Sequence, residues 1–251
     1  MSLTPSQPEP AAIASGRSGR DLLVASKNAQ RTDWNRIRKV EVGFDGEWST
    51  FPTLTQKVLT DPEYRGSSEE IYWPGRDLVV QVHRGPGGTK TVRRLRGESI
   101  EVSYNGEPSD GAEVEAASAL VADAYAMFLF GASWLLDHGE DFRYLGNRDL
   151  EGSECQLVEV DLEPGIGLSG RDRAVAWLDA ESGLMRRVTF TLNGLESTQG
   201  AEVDVTMSEF LTGPDGSQWP GHFVEMIRKP VNTKAHDWRT TSLVVDGVKV
   251  E

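Results

Sequence analysis

Residues 112–136 read AEVEAASALVADAYAMFLFGASWLL, a run of alanine, leucine, phenylalanine and methionine with no glycine between its start and Gly131. These are good helix formers, and at 1.5 Å per residue the run makes about six turns, with Gly131 a natural place for a break. Asp123, Gly131 and Ser133 interrupt it, which favours a buried or cavity-covering helix over a membrane span. Tyr125, Phe128, Leu129, Trp134 and Leu135 are too many bulky apolar groups for a helix lying free on a surface. Tyr125, Phe128, Leu129 and Leu136 share one stripe of a 3.6-residue period, so this helix is expected to cover something.

On both sides of the run the hydrophobic period changes to two. Upstream, apolar residues alternate at Val40, Val42 and Phe44, at Leu54, Gln56 and Val58, at Ile71 and Trp73, at Leu78, Val80 and Val82, and at Ile100, Val102 and Tyr104. Asp45-Gly46, Pro74-Gly75, Gly85-Pro86-Gly87-Gly88 and Asn105-Gly106 supply hairpin chemistry between them. Downstream, strand-like runs occupy 143–145, 156–162, 173–178, 184–192, 203–210, 222–227 and 238–245, joined by turns such as 179–183 and Asn193-Gly194. Eleven to thirteen strands in sequential hairpins predict a mainly β (α+β) fold, an antiparallel sheet that must curl because about a dozen strands overload a flat one. A short amphipathic helix is expected over residues 20–30. Residues 1–17, rich in proline, serine and alanine, read as a flexible leader, and 18–251 as a single domain.

The chain carries 26 basic and 39 acidic residues, a formal charge of −13. That opposes the counterion release that drives binding to nucleic acids and anionic membranes, so neither is expected as a partner. Residues 97–141 hold ten acids and no lysine or arginine, whereas 17–39 hold seven bases against Asp21 and Asp33; the two runs either stay solvated or face each other. Cys155 is the only cysteine, cannot pair within the chain, and reads as a small buried hydrophobe. Ala11–Ala14 is too short for the apolar region of a signal peptide, so any such peptide is expected to have been removed before residue 1.

Signs of catalysis are weak. Gly165-Ile166-Gly167-Leu168-Ser169-Gly170 matches the dinucleotide fingerprint, but residues 171–179 read as a strand, leaving no helix N-terminus to hold a pyrophosphate. His83, His138, His222 and His236 lack the spacing of a zinc site, and Asp137-His138-Gly139-Glu140-Asp141 lacks that of a calcium loop. No Gly-x-Ser-x-Gly elbow occurs. No catalytic residue, metal or cofactor is therefore nominated. The aromatic residues Trp48, Trp73, Trp134, Trp177, Trp219 and Trp238, with Tyr125, Phe128 and Phe130, suit either core packing or an apolar cavity on the inner face of a curved sheet.

Several short motifs carry a family resemblance: Gly46-Glu47-Trp48, Tyr104-Asn105-Gly106, Tyr144-Leu145-Gly146, Trp177-Leu178-Asp179 followed by Gly183-Leu184-Met185-Arg186, and Gly216 with Trp219-Pro220. In their order, helix, meander, helix, meander, they resemble the LolA-like superfamily of outer-membrane lipoprotein-sorting and carrier proteins, including LolA, LolB and the mycobacterial LppX-type lipid carriers. The resemblance implies an unclosed β-barrel with a helical lid over an acyl-chain cavity, in an exported protein of the periplasm or another extracytoplasmic space. It departs from the family in length and in having no lipobox cysteine near its start. The function expected is binding or carriage, without catalysis, of a lipid, lipoprotein acyl chain or other apolar ligand. An enzyme using the same cavity and a protein-interaction scaffold are the alternatives. The residues expected to line the cavity are Trp48, Trp73, Val80, Tyr125, Phe128, Leu129, Trp134 and Trp177. Oligomeric state is not indicated.

Overall fold

The computed structural model describes residues 18–251, so the expected leader lies outside the described residues. The chain opens with α1 (Gly19–Gln30), which starts on a reciprocal cap. Ser18 Oγ accepts the Asp21 N–H at 3.2 Å, and the Asp21 carboxylate accepts the Ser18 N–H at 3.0 Å. Then come β1 (Val40–Trp48), α2 (Thr50–Thr55), α3 (Lys57–Thr60), β2 (Ser67–Trp73), β3 (Leu78–Gly85), β4 (Gly88–Leu95), β5 (Ser99–Tyr104) and β6 (Glu107–Ser109). The long apolar run forms α4 (Ala112–Phe130) and α5 (Ala132–His138). They are broken at Gly131, whose φ of 56° and ψ of −128° disfavour any residue with a Cβ.

The second meander comprises β7 (Gly139–Leu150), β8 (Ser153–Leu162), β9 (Asp172–Asp179), β10 (Met185–Thr191) and β11 (Glu202–Ser208). A two-stranded ribbon of β12 (Leu211–Thr212) and β13 (Gln218–Trp219) precedes β14 (His222–Lys229), β15 (Thr233–Val245) and β16 (Val248–Lys249). One antiparallel sheet takes fourteen of these strands in the order β6-β5-β4-β3-β2-β1-β15-β14-β11-β10-β9-β8-β7, with β16 beside β15. The two meanders are joined where β1 pairs with β15. The edge strands β6 and β7 do not pair with each other, so the sheet curls without closing.

Helix α4 runs through the concave side, and residues 117–130 are all buried. Its aromatic side chains touch strands far apart in the sheet: Tyr125 meets Phe44 of β1, Phe128 meets Phe190 of β10, and Phe130 meets Tyr72 of β2. One end is fastened by charge. Asp123 accepts from Arg94 and Arg96 of the β4 region and from the Gly167 N–H at 2.9 Å, while Arg94 donates to the Gly167 carbonyl at 3.0 Å. The Gly165–Gly170 segment is thus a loop between β8 and β9 that docks on α4, with no following helix. Gly167 has φ +66°, and a Cβ there would sit 2.8 Å from the Leu120 backbone, so this glycine is needed for close packing.

Several expectations are corrected. Leu54 lies on α2 and Val58 on α3, with Gln56 between the two helices, because Pro52 has no N–H for a sheet ladder and tolerates the first turn of a helix. Asp45-Gly46 is inside β1, where Gly46 faces Trp238 of β15 so closely that a Cβ would collide with it. Among the described residues sixteen strands form, above the eleven to thirteen expected, the surplus being two- and three-residue segments without a readable period. The basic run finds partners in Asp33, Glu41 and Asp246 and does not meet the acidic run as an opposing face.

Candidate functional site: an apolar groove at the open end of the sheet

On the inner face, a column of rings crosses the junction of the two meanders. Trp48 stacks on His236 at 4.0 Å, His236 on Trp238 at 4.3 Å, and Trp238 on Phe223 at 5.2 Å, with Tyr125 of α4 stacked on Trp238 at 5.1 Å. Sheet register produces it: Trp48 is paired with His236, and Phe223 with Trp238. Arg65 lies over the Trp48 ring at 4.9 Å and donates to Tyr125 Oη at 3.2 Å, while Tyr125 Oη lies 3.3 Å from His236 Nδ1. Burial and the nearby Arg65 hold His236 well below the usual imidazole range, so it is neutral at physiological pH.

Where the column reaches the surface at Trp48, an apolar groove of about 430 Å³ opens. This lies within the usual range for small-molecule sites. One wall is the α2–α3 segment, with Phe51, Pro52 and Leu59; the other comes from Leu192 and Ala201 around β10 and β11; the end of the β14–β15 hairpin, with Ile227, Val231 and Ala235, completes it. Phe51 and Val231 remain 43% and 38% exposed at the rim, which leaves apolar surface at the mouth. The walls meet at a reciprocal polar bridge: Gln56 Nε2 donates to the Ser197 carbonyl and Ser197 Oγ donates to Gln56 Oε1, each at 3.0 Å. The inner end of the α2–α3 segment is fixed by Asp61, which accepts from Lys90 and from Tyr104, both at 2.8 Å.

Among the described residues a single carboxylate lines this groove. Glu225 is half-buried and stands opposite His236 in the β14–β15 register, and its carboxylate has no hydrogen-bond partner among the described residues. Burial, offset in part by the Arg65 charge, pushes its carboxyl up to about 7. A larger cavity of about 580 Å³ lies beside α1, but its charged groups are already engaged. Lys27 and Arg36 pair with Asp33, Arg31 donates to the Asp215 carbonyl, and Asp246 accepts the Arg38 and Lys39 N–H groups. It offers a ligand little unsatisfied chemistry.

The residues expected from the sequence are dispersed. Trp48 lines the groove. Tyr125, Phe128, Leu129 and Trp134 are buried in the core and do not line the groove, with at most 7% exposure. Trp73 and Val80 lie on the outer face, because the inward residues of β2 and β3 are Ser68, Glu70 and Tyr72, and Val79, Gln81 and His83. Trp177 also points outward, packing with Leu150, Cys155 and Leu157 in a separate cluster and donating its indole N–H to Thr189. Phe51, Leu59, Glu225 and Val231 were not anticipated. The only local signal for them is apolar residues flanking prolines at Phe51-Pro52 and Pro230-Val231.

Other candidate chemistry resolves into structural pairing. His138 Nε2 faces the Asp77 carboxylate at 3.1 Å and its Nδ1 lies 2.9 Å from the Trp134 carbonyl. Cys155 is buried. Among the described residues no group of histidine, cysteine and acidic side chains is placed to hold a metal, and no helix is long and apolar enough to cross a membrane.

A curled, unclosed antiparallel sheet around a central helix also characterises two solved structures. A LolA superfamily protein from Nitrosomonas europaea superposes with a TM-score of 0.57, covering 91% of this chain and 93% of its own, at 8% identity. The chain has a LolA-like fold. A DUF1329 family protein from Desulfovibrio piger is similar with a TM-score of 0.53, 15% identity, and coverage of 91% of this chain and 92% of that one. At these identities the likeness is one of fold. No protein-family model matches the sequence, and no curated protein matches it.

Proposed function

We propose that this protein binds or carries a lipid, a lipoprotein acyl chain or another apolar ligand, without catalysis, in the periplasm or another extracytoplasmic space. The observation that carries this reading is the groove bounded by Trp48, Phe51, Leu59, Leu192 and Val231, an apolar recess with exposed apolar residues at its mouth. Isolated exposed hydrophobics need no explanation, but a recess rimmed by them leaves apolar area in water that a ligand would remove. The LolA-like fold supports the reading, since acyl-chain binding is what the resemblance implies. The site it uses is the groove, with Trp48 retained from the sequence reading, and Tyr125 reaches it only through the ring column behind Trp48.

Two measurements test this. Organic extraction of the purified protein followed by mass spectrometry is expected to release bound lipid. Titration with the neutral probe N-phenyl-1-naphthylamine is expected to show saturable binding, weakened severalfold by Trp48→Ala and by Phe51→Asp. A protein that yields no lipid and gives no saturable probe signal does not have this function.

A further inference from the structure

Resting on that reading, the polar groups lining the groove define what the polar end of its ligand must be. One of them, the Glu225 carboxylate, is half-buried and has no hydrogen-bond or ion-pair partner among the described residues. A carboxylate only accepts, so a ligand that brings a donor to it gains a charge-assisted hydrogen bond that a plain alkyl chain cannot make. We infer that the groove selects an acyl chain whose polar end is a neutral hydrogen-bond donor to Glu225, such as an amide N–H, over the free fatty acid of the same length.

A free carboxylate fits poorly. It can only accept hydrogen bonds, and beside Glu225 it would place two like charges against an apolar wall. The cation whose charge acts on Glu225 is Arg65, whose guanidinium already donates to the Leu59 carbonyl at 2.6 Å and to Tyr125, and which does not line the groove. Lys229 does line it at the rim, but is paired with Glu202 at 3.2 Å. An ester of the same length would bring no donor for Glu225, whereas an amide N–H supplies one without charge.

The groups facing Glu225 are Arg65, Tyr125 of α4, His236 of β15 and, at the rim, the Lys229–Glu202 pair. Burial keeps His236 neutral and the Tyr125 hydroxyl protonated. Between pH 6 and pH 8 the local change is therefore the ionisation of Glu225, whose carboxyl sits at about 7. Selection against a carboxylate should strengthen as pH rises across that interval.

The test is competition against N-phenyl-1-naphthylamine by N-methyldodecanamide, methyl dodecanoate and sodium dodecanoate, each below its micelle threshold. In the unchanged protein at pH 8 the amide should displace the probe at a concentration about tenfold lower than dodecanoate, and about threefold lower than the ester. The amide-to-carboxylate ratio should fall to about threefold or less at pH 6, and likewise in Glu225→Gln at pH 8, checked by its melting curve. Dodecanoate binding as tightly as the amide at pH 8, or a ratio unmoved by both pH and Glu225→Gln, overturns the inference. If the variant fails to fold, the pH comparison on the unchanged protein decides alone. Failure of the neutral probe itself to bind would instead refute the apolar-ligand function.

Discussion

Cutting Phe128 to alanine separates a packed interior from an open cavity. The side chain is 3% exposed on α4, between Tyr125 at 5.8 Å, Phe190 at 5.6 Å and Trp238 at 6.2 Å, so its removal leaves a hole enclosed by rings anchored in three different elements. Such rings cannot close in without shifting the sheet. The loss should therefore lie in the usual range for a buried phenylalanine, about 3–5 kcal/mol. For a chain of this size that corresponds to a drop in Tm of roughly 6–20 °C. Urea melts of Phe128→Ala and the parent, compared at equal m-value, measure the first quantity, and probe titration measures the effect on the groove. Probe affinity should change less than in Trp48→Ala, because Trp48 lines the groove and Phe128 does not. A stability loss under about 2 kcal/mol together with a severalfold change in probe affinity would refute this and place the ligand cavity inside the barrel.

Other perturbations probe separate parts of the structure. Asp123→Ala leaves two buried guanidiniums, Arg94 and Arg96, and the Gly167 N–H without their acceptor, and should cost about 3–5 kcal/mol in urea melts; a loss below about 1 kcal/mol would show that this fastening is dispensable. Gly167→Ala pushes a Cβ into the Leu120 backbone and should cost about 1–3 kcal/mol, more than Gly106→Ala in the β5–β6 turn, where a Cβ meets nothing within 4 Å; equal costs would mean the loop moves away freely. The Glu225 carboxyl lies near 4.5 in an unfolded chain and at about 7 in the fold, so the native state holds its proton more tightly. Its contribution to stability is complete below about pH 4.5 and lost as pH rises through about 7. Glu225→Gln should consequently gain stability relative to the parent between pH 4.5 and pH 8, and a constant difference across a series of melts would contradict the assigned burial.

The amino-acid sequence by itself determined most of the element types and their order, the exceptions being residues 54–58, read as a strand but folded into α2 and α3, and the shortest strands. Turn chemistry at Asn105-Gly106 and Pro74-Gly75, period-two alternation, and the alanine-rich run broken at Gly131 are all local properties, and local backbone preference is enough to read them. It did not determine which face of the first meander is inside. Ile71, Trp73, Leu78, Val80 and Val82 form the more apolar face and yet lie outward, while Glu70, Gln81, His83, Lys90 and Arg94 are buried beneath the helix. A strand's alternation identifies two faces, but burying charges on the polar one is tolerable only if they find partners. Glu70 is met by Ser68 and Tyr72 of its own strand, but the cations depend on distant residues: Asp61 for Lys90 and Asp123 for Arg94. The groove has the same origin, since Trp48, Phe51, Leu192, Glu225 and Val231 come together only when β1 pairs with β15 and the sheet curls, contacts between residues nearly two hundred positions apart that no local pattern encodes.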